Sequence, residues 1–342
     1  MSRLDSFRAI LAGHGDVPYL TAAWQHFVGY EYDRQAFAGA TADFVRRWDW
    51  DWVKINPRAV YHSEVWGSVY DPDTYDGVVP RLVRPAVASP DDLSGIRALD
   101  PLGNSVLAEQ LAAARLVKQE FPDRAVLQTL FSPLSTVLQL AGLPLYPGGV
   151  TEGYQAPFAK EDLLTRHQTA LNNALGNVAD TFAEYVKALL APVADGGAGL
   201  DGIFYAVTGT ASDGFLDRAD FDAFSRRYDR RVLDAARDGQ VVFHTCRADS
   251  HPDWFTGLPV DAIQWDQFLP GNPPITADLG GATPVGGVNW ELFAPGADLG
   301  EVARQAEATI RARTGRPFLL APSCTIPTPA SDEALRVLRE AN

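Results

Sequence analysis

Short apolar runs alternate with longer amphipathic stretches along nearly the whole chain, and this rhythm limits the folds open to it. Runs of four to eight apolar residues bounded by turn residues read as buried strands, and a 3.6-residue apolar period reads as a helix. Strands are predicted over 17–24, 52–56, 125–131, 200–207, 240–246, 262–265, 284–288 and 317–321. Helices are predicted over 33–47, 104–120, from Pro133 onward, 160–191, 218–237, 300–314 and 331–340, with Ser331 as an N-cap. The stretches 61–80 and 142–153, rich in Gly, Pro, Tyr and Asp, read as rim loops or a hairpin. Strand–helix alternation calls for a parallel sheet. Eight such units predict an α/β protein, a (β/α)8 TIM barrel in which residues 1–342 form a single domain with long rim loops. No G-x-G-x-x-G follows the first strand, which disfavours a doubly wound dinucleotide fold.

At 342 residues and 46% hydrophobic, the chain can bury one large core. Its net charge of −14 argues against nucleic acid and anionic membrane surfaces as partners, because both select Lys and Arg. No run of 18 apolar residues and no charged-then-apolar leader is present, so a cytoplasmic protein is expected. Its two cysteines are then expected to be reduced thiols.

Those cysteines stand at the ends of two of the strands. His244-Thr245-Cys246 closes the strand over 240–246, and Cys324 lies just past the last strand. Side chains alternate along a strand, so His244 and Cys246 share one face while Phe243 and Thr245 take the other. The C-terminal ends of barrel strands carry the chemistry. Two thiolates and an imidazole are donors that zinc prefers, and three protein ligands leave a fourth position for substrate. His244, Cys246 and Cys324 are therefore the predicted metal ligands, with His251 or Asp249 as a fourth group if the site is closed. The competing reading is two buried thiols that act as small hydrophobes.

The chain resembles the uroporphyrinogen decarboxylase superfamily, in its zinc methyltransferase branch, the methylcobamide:coenzyme M methyltransferases. The resemblance runs through Asp16-Val17-Pro18, Trp50-Asp51-Trp52-Val53-Lys54, Gly199-Leu200-Asp201-Gly202-Ile203, His244-Thr245-Cys246, residues 260–266, Gly286-Gly287-Val288 and Ser323-Cys324-Thr325-Ile326-Pro327. It implies Zn2+ held by the H-x-C and distant Cys. It also implies a corrinoid methyl donor, carried on a partner protein or free, and a small-molecule thiol as acceptor. Two departures stand out. The decarboxylases hold substrate carboxylates with an Arg-rich N-terminal segment, but residues 21–32 contain no arginine. Family methyltransferases often continue H-x-C with Gly-Asn, where this chain has Arg247-Ala248. The alternatives are decarboxylation of a porphyrinogen-like tetrapyrrole, and a barrel that binds a tetrapyrrole, corrinoid or metal without turnover.

A free thiol, with a pKa near ~8.5, is mostly protonated at neutral pH, and a bound metal deprotonates it while leaving sulfur nucleophilic. Arg247, His26, Gln128, Tyr205, Trp265 and Asp266 are the rim residues expected to touch substrate, Arg247 through an anionic group on it. Trp24, Gln25, Lys54, Asn56, Ser132 and Thr208 share the rim, and Trp48, Trp50 and Trp52 are expected in the core. Gly286-Gly287 serves a bend or exposes amides to an anion.

Overall fold

The computed structural model describes residues 2–14, 17–151 and 153–341; Asp16, part of the first resemblance motif, lies outside them. Eight strands form one sheet: β1 (Tyr19–Thr21), β2 (Val53–Ile55), β3 (Val126–Phe131), β4 (Gly202–Thr208), β5 (Gln240–Thr245), β6 (Ala262–Gln264), β7 (Thr283–Val288) and β8 (Phe318–Pro322). The order is β1-β8-β7-β6-β5-β4-β3-β2, and every neighbouring pair is parallel. All eight predicted strands are present, and the chain is a (β/α)8 barrel.

The seam between β1 and β2 is stitched by a side chain. Asp51 accepts the Thr21 amide at 2.8 Å and donates its own amide to the Thr21 carbonyl at 3.0 Å. The same device recurs before two other even-numbered strands. Asp201 accepts the Val126 amide of β3 at 3.0 Å, and Asp261 accepts the Val241 amide of β5 at 2.7 Å. Each stitch satisfies a strand-end N–H that otherwise lacks a ladder partner. Each is a hydrogen bond to a charged acceptor, worth roughly 1.5–3 kcal/mol. Three of the motifs that carry the resemblance thus encode the lower rim.

The lower opening is plugged by the helix Arg3–Leu11, which the sequence reading does not include. Its Leu4 amide donates to Asp123 before β3 at 2.8 Å, and its Ile10 carbonyl accepts Thr283 Oγ1 at the start of β7 at 3.1 Å. Buried Phe7 and Ile10 enter the core, with the Phe7 ring 5.6 Å from that of Trp52. Trp50 and Trp52 are fully buried, as expected of core tryptophans, and Trp48 closes the helix Arg34–Trp48.

Helix starts follow their caps. Asp33, Asn104, Asp298 and Ser331 each accept amides from the first turn of the following helix. Two long helices are broken where the sequence reading has them continuous. The stretch 160–191 divides into Lys160–Thr165 and Gln168–Leu190. There Thr165 Oγ1 bonds back to the Glu161 carbonyl at 2.6 Å and the Gln168 amide takes the Leu164 carbonyl at 2.6 Å. Such local side-chain bonds compete with the helical ladder. The stretch 218–237 is helical only over 218–234 and carries a π-helical turn at Asp222–Arg226. Residues 61–80 contain a helical turn, Tyr61–Glu64, and the antiparallel hairpin Val69–Asp76 with Val79–Arg84. No helix among the described residues is long and apolar enough to cross a membrane.

Candidate active site

Strand alternation selects which side chains meet on the barrel axis. Lys54 and Asn56 at β2, Phe204 on β4, His244 and Cys246 at β5, and Gln264 on β6 line one cavity at the C-terminal ends of the strands. Trp24, His26, Thr129, Phe131 and Arg247 complete its wall, and its volume is about 240 Å³. Cys324 lies two residues beyond β8, beside the Thr325 that also lines the cavity. Phe243, one residue from His244, packs outward with its ring 3.9 Å from that of Phe255.

Electrostatics couple the two sequence-predicted thiols to each other, and Lys54 acts on both His244 and Cys324. Burial pushes the Cys246 thiol up to about 12, and the neighbouring Cys324 adds to the shift. Burial likewise raises Cys324. The Asp266 carboxylate lies within electrostatic reach of both thiols and favours their protonated forms. His244 is lowered to about 3, by burial first and by the Lys54 ammonium second, so its imidazole is neutral at physiological pH. Its Nδ1 is sealed from solvent with no hydrogen-bond partner.

Lys54 is a buried amine whose only hydrogen-bond acceptor among the described residues is Asn56 Oδ1, at 2.6 Å. Its ammonium stands 4.4 Å from the Phe204 ring centroid and 5.2 Å from that of Trp24. Burial lowers it to about 7, against the opposing pull of Cys324. Asn56 Nδ2 and Gln264 Oε1 are also buried without partners. Unsatisfied buried polar atoms cost about 1–3 kcal/mol each, and a cluster of them around a cavity marks where a polar ligand belongs.

The upper rim is also strained. Thr208, Arg247 and Asp249 hold φ of 56°, 81° and 51°, a region that side-chain-bearing residues rarely occupy. The Arg247 guanidinium carbon is 3.8 Å from the Tyr146 ring centroid. Gly209 permits this contact, because a Cβ there would fall 2.5 Å from Tyr146 Cβ. The 142–153 loop is thereby tied to the mouth, and it lines an outer pocket of about 400 Å³.

Several expected rim residues lie elsewhere. Gln128 and Tyr205 have the wrong parity: Thr129, Phe131, Phe204 and Ala206 face the cavity, so these two face the helix layer. Tyr205 donates to Asp229 at 2.7 Å, and Gln128 is buried beside the Tyr61 hydroxyl. Trp265 is likewise turned away, with its indole N–H on the Pro273 carbonyl at 2.7 Å. Asp266 accepts the Trp290 indole N–H at 3.1 Å and the Phe268 amide at 3.0 Å. His251 is held by Asp213 at 2.7 Å and stacked on Trp254, outside the cavity wall. Ser132 is a helix cap that accepts the Ser135 amide. Gly286 and Gly287 serve close packing, since a Cβ would come 2.7 Å from Gln267 or 2.8 Å from Thr309. Sequence reasoning misses Gln264, Phe204 and Glu31, which lies behind His26; Gln264 has the parity of Asp266 and is open to that argument, whereas nothing local marks Phe204 or Glu31.

A family model described as uroporphyrinogen decarboxylase (URO-D) matches residues 21–342. The chain belongs to the uroporphyrinogen decarboxylase family. Among solved structures, a methyltransferase from Methanosarcina mazei superposes with TM-score 0.79 at 15% identity, covering 100% of this chain and 98% of that one. GH5_18 from Streptomyces cattleya gives TM-score 0.49 at 13% identity over 95% of this chain and 80% of that one. No curated protein sequence matches.

Within this family the present cavity is poorly equipped for a polycarboxylate. Its cations are Lys54 and Arg247. The nearby Arg58 is consumed by Glu64 at 2.5 Å, Glu109 at 3.0 Å and the Glu31 carbonyl at 3.0 Å. The donor chemistry of His244, Cys246 and Cys324 fits zinc, including the orphaned Nδ1. No three His, Cys, Asp or Glu side chains among the described residues already stand as a ready metal-holding group, so binding would draw these donors together.

Proposed function

We propose that the protein is a zinc-dependent methyltransferase that moves a methyl group between a corrinoid and a thiol. The observation that carries this reading is a neutral imidazole with an unpartnered nitrogen and the Cys246 thiol on the wall of one cavity at the C-terminal end of the barrel, with the Cys324 thiol within electrostatic reach of Cys246. His244, Cys246 and Cys324 would hold the ion. Bound there, zinc supplies Lewis acidity that lowers the pKa of a thiol at its open position, and two cysteinate ligands keep the site near neutral charge. Trp24, Phe131 and Phe204 give the cavity an apolar wall that excludes water from the transfer. Lys54 and Arg247 attract an anionic end of the acceptor.

The cavity volume of about 240 Å³ suits a small acceptor and is far too small for a tetrapyrrole macrocycle. A corrinoid donor would therefore lie over the mouth, against the 142–153 loop, alone or on a partner protein. The same limit weighs against porphyrinogen decarboxylation. Likeness to the Methanosarcina mazei methyltransferase supports the reading at the level of the fold.

Metal content of protein purified without chelators tests the centre. About one zinc per chain is expected in the wild type, with loss in Cys246→Ala and Cys324→Ala. Methylcobalamin with 2-mercaptoethanol as probe acceptor then tests transfer. Wild-type protein that is metal-free and cannot be loaded would sink the proposal.

A further inference from the structure

Methyl transfer to a thiol releases a proton, and nothing assigned so far receives it. His244 and both cysteines are the metal donors in this reading, and the Lys54 amine is held by Asn56 Oδ1 and boxed by the Trp24 and Phe204 rings. The remaining titratable side chain on the inner wall is His26.

His26 is not an isolated imidazole. Its Nδ1 lies 3.0 Å from Oε1 of Glu31, and both side chains are buried. An ionised carboxylate only accepts, so Nδ1 carries the hydrogen and the lone pair of the ring belongs to Nε2. Nε2 has no hydrogen-bond partner among the described residues and is not among the sealed polar atoms, while the residue lines the cavity. Glu31 Oε2, by contrast, is sealed and unpartnered. A pair serving stability alone would be expected to fill that acceptor, because a half-satisfied buried carboxylate is costly.

The backbone fixes this ring relative to the thiols. The Trp24 carbonyl accepts the Ile326 amide at 3.1 Å, and the His26 carbonyl accepts Thr328 Oγ1 at 3.1 Å. Residues 24–26 thus run beside 326–328, the segment that leaves Cys324. Arg58 donates to the Glu31 carbonyl from behind and is itself neutralised by Glu64 and Glu109. Tyr75 lies within electrostatic reach of Glu31. Across the cavity stand Lys54, His244, Cys246 and Arg247.

We infer that His26 is the proton acceptor of the site and Glu31 its positioning partner. This assignment rests on the methyltransferase reading. The acceptor's S–H bond breaks with its electron pair left on sulfur, and the proton goes to His26 Nε2. Sulfur then forms the S–CH3 bond while the donor keeps the pair of its broken bond to methyl. The proton leaves His26 for solvent before the next cycle. Glu31 holds the ring in the tautomer that can accept and stabilises the imidazolium that forms.

The test counts protons. Binding of 2-mercaptoethanol to zinc-loaded protein is followed by calorimetry in buffers of different ionisation enthalpy. Wild type is expected to retain the thiol proton, whereas His26→Gln releases about one more per site at unchanged zinc content and melting temperature. Turnover in His26→Gln is expected to fall by about 10²–10⁴-fold. In His26→Gly, added imidazole restores it, which a merely structural role would not allow. Glu31→Gln is expected to fall less, with little change in KM. Equal proton release from wild type and His26→Gln, with equal turnover, overturns the assignment and leaves the methyltransferase reading standing. A zinc-loaded wild type that binds no thiol fails that reading first, and the dyad falls with it.

Discussion

At the lower rim of the barrel, Asp51, Asp201 and Asp261 each accept a strand-end amide at 2.7–3.0 Å. Cations stand against the first two: Arg3 and Arg339 face Asp51 at 3.3 and 3.4 Å, and Lys118 faces Asp201 at 2.8 Å. At the upper rim the order is reversed. Asn56 Nδ2, His244 Nδ1 and Gln264 Oε1 are sealed without partners, and Thr208, Arg247 and Asp249 hold positive φ. Both rims are built from inward-facing or strand-flanking residues of the same eight strands. At one end three carboxylates close the barrel, and at the other a cluster of unpaired polar atoms surrounds the cavity. The division of a barrel into a stable end and a reactive end is visible here in the hydrogen bonds themselves.

This contrast is most directly broken by substitutions that cross it. Cys324→Ala, at the upper rim, is expected to abolish zinc retention and transfer together while leaving the thermal midpoint of the metal-free protein within about 2 °C. Metal analysis beside calorimetry checks both halves. Asp201→Ala, at the lower rim, should do the opposite. It strands the Val126 amide and the Lys118 ammonium, which costs about 4 kcal/mol in urea unfolding while zinc per folded chain stays unchanged.

Between the two rims lies Asp229, buried under Tyr205 at 2.7 Å and Ser225 at 2.8 Å. Desolvation raises its carboxyl from 3.8 to about 6, against those two hydrogen bonds. The unfolded chain gives up this proton near 3.8 and the folded chain only near 6, so the folded form binds more protons in between. Stability therefore falls as pH rises from about 4 to about 6, by at most about 3 kcal/mol, and is flat above. Asp229→Asn should remove that slope, as read from denaturation midpoints across the interval. An unchanged slope would place the titration elsewhere.

A further effect concerns metal uptake. Both thiols hold their protons through burial, whereas His244 is already neutral. Zinc held there would displace two protons, so its affinity is expected to rise with pH by up to about tenfold per pH unit for each thiol. Competition with a zinc-selective chelator between about pH 6 and about pH 8 checks this. In Cys246→Ser the dependence on pH should be shallower.

The strands were legible because buried parallel strands read as apolar runs, and 240–246 was long enough to settle the parity of His244 and Cys246. Parity misled where a whole strand is apolar on both faces. On β3 and β4 nothing in the composition distinguishes the cavity side from the helix side, so Gln128 and Tyr205 were expected inside although Thr129 and Phe204 are there. The plug helix Arg3–Leu11 was missed because its short apolar set, Phe7, Ile10 and Leu11, spans too few turns to announce a period.

By itself, the sequence determined the eight-unit rhythm, the cap at Ser331, and the shared face of His244 and Cys246. These are local matters of period, propensity and one side chain reaching its own backbone. Only the tertiary structure decided that Cys324 comes within electrostatic reach of Cys246, and that Lys54 lies boxed between Trp24 and Phe204. It alone decided that Arg58 is spent on Glu64 and Glu109 rather than left for substrate. Even the His26–Glu31 pair, five residues apart, needed it. Burial and the orientation of a ring toward a cavity depend on what the far side of the barrel places opposite, and no local pattern carries that information.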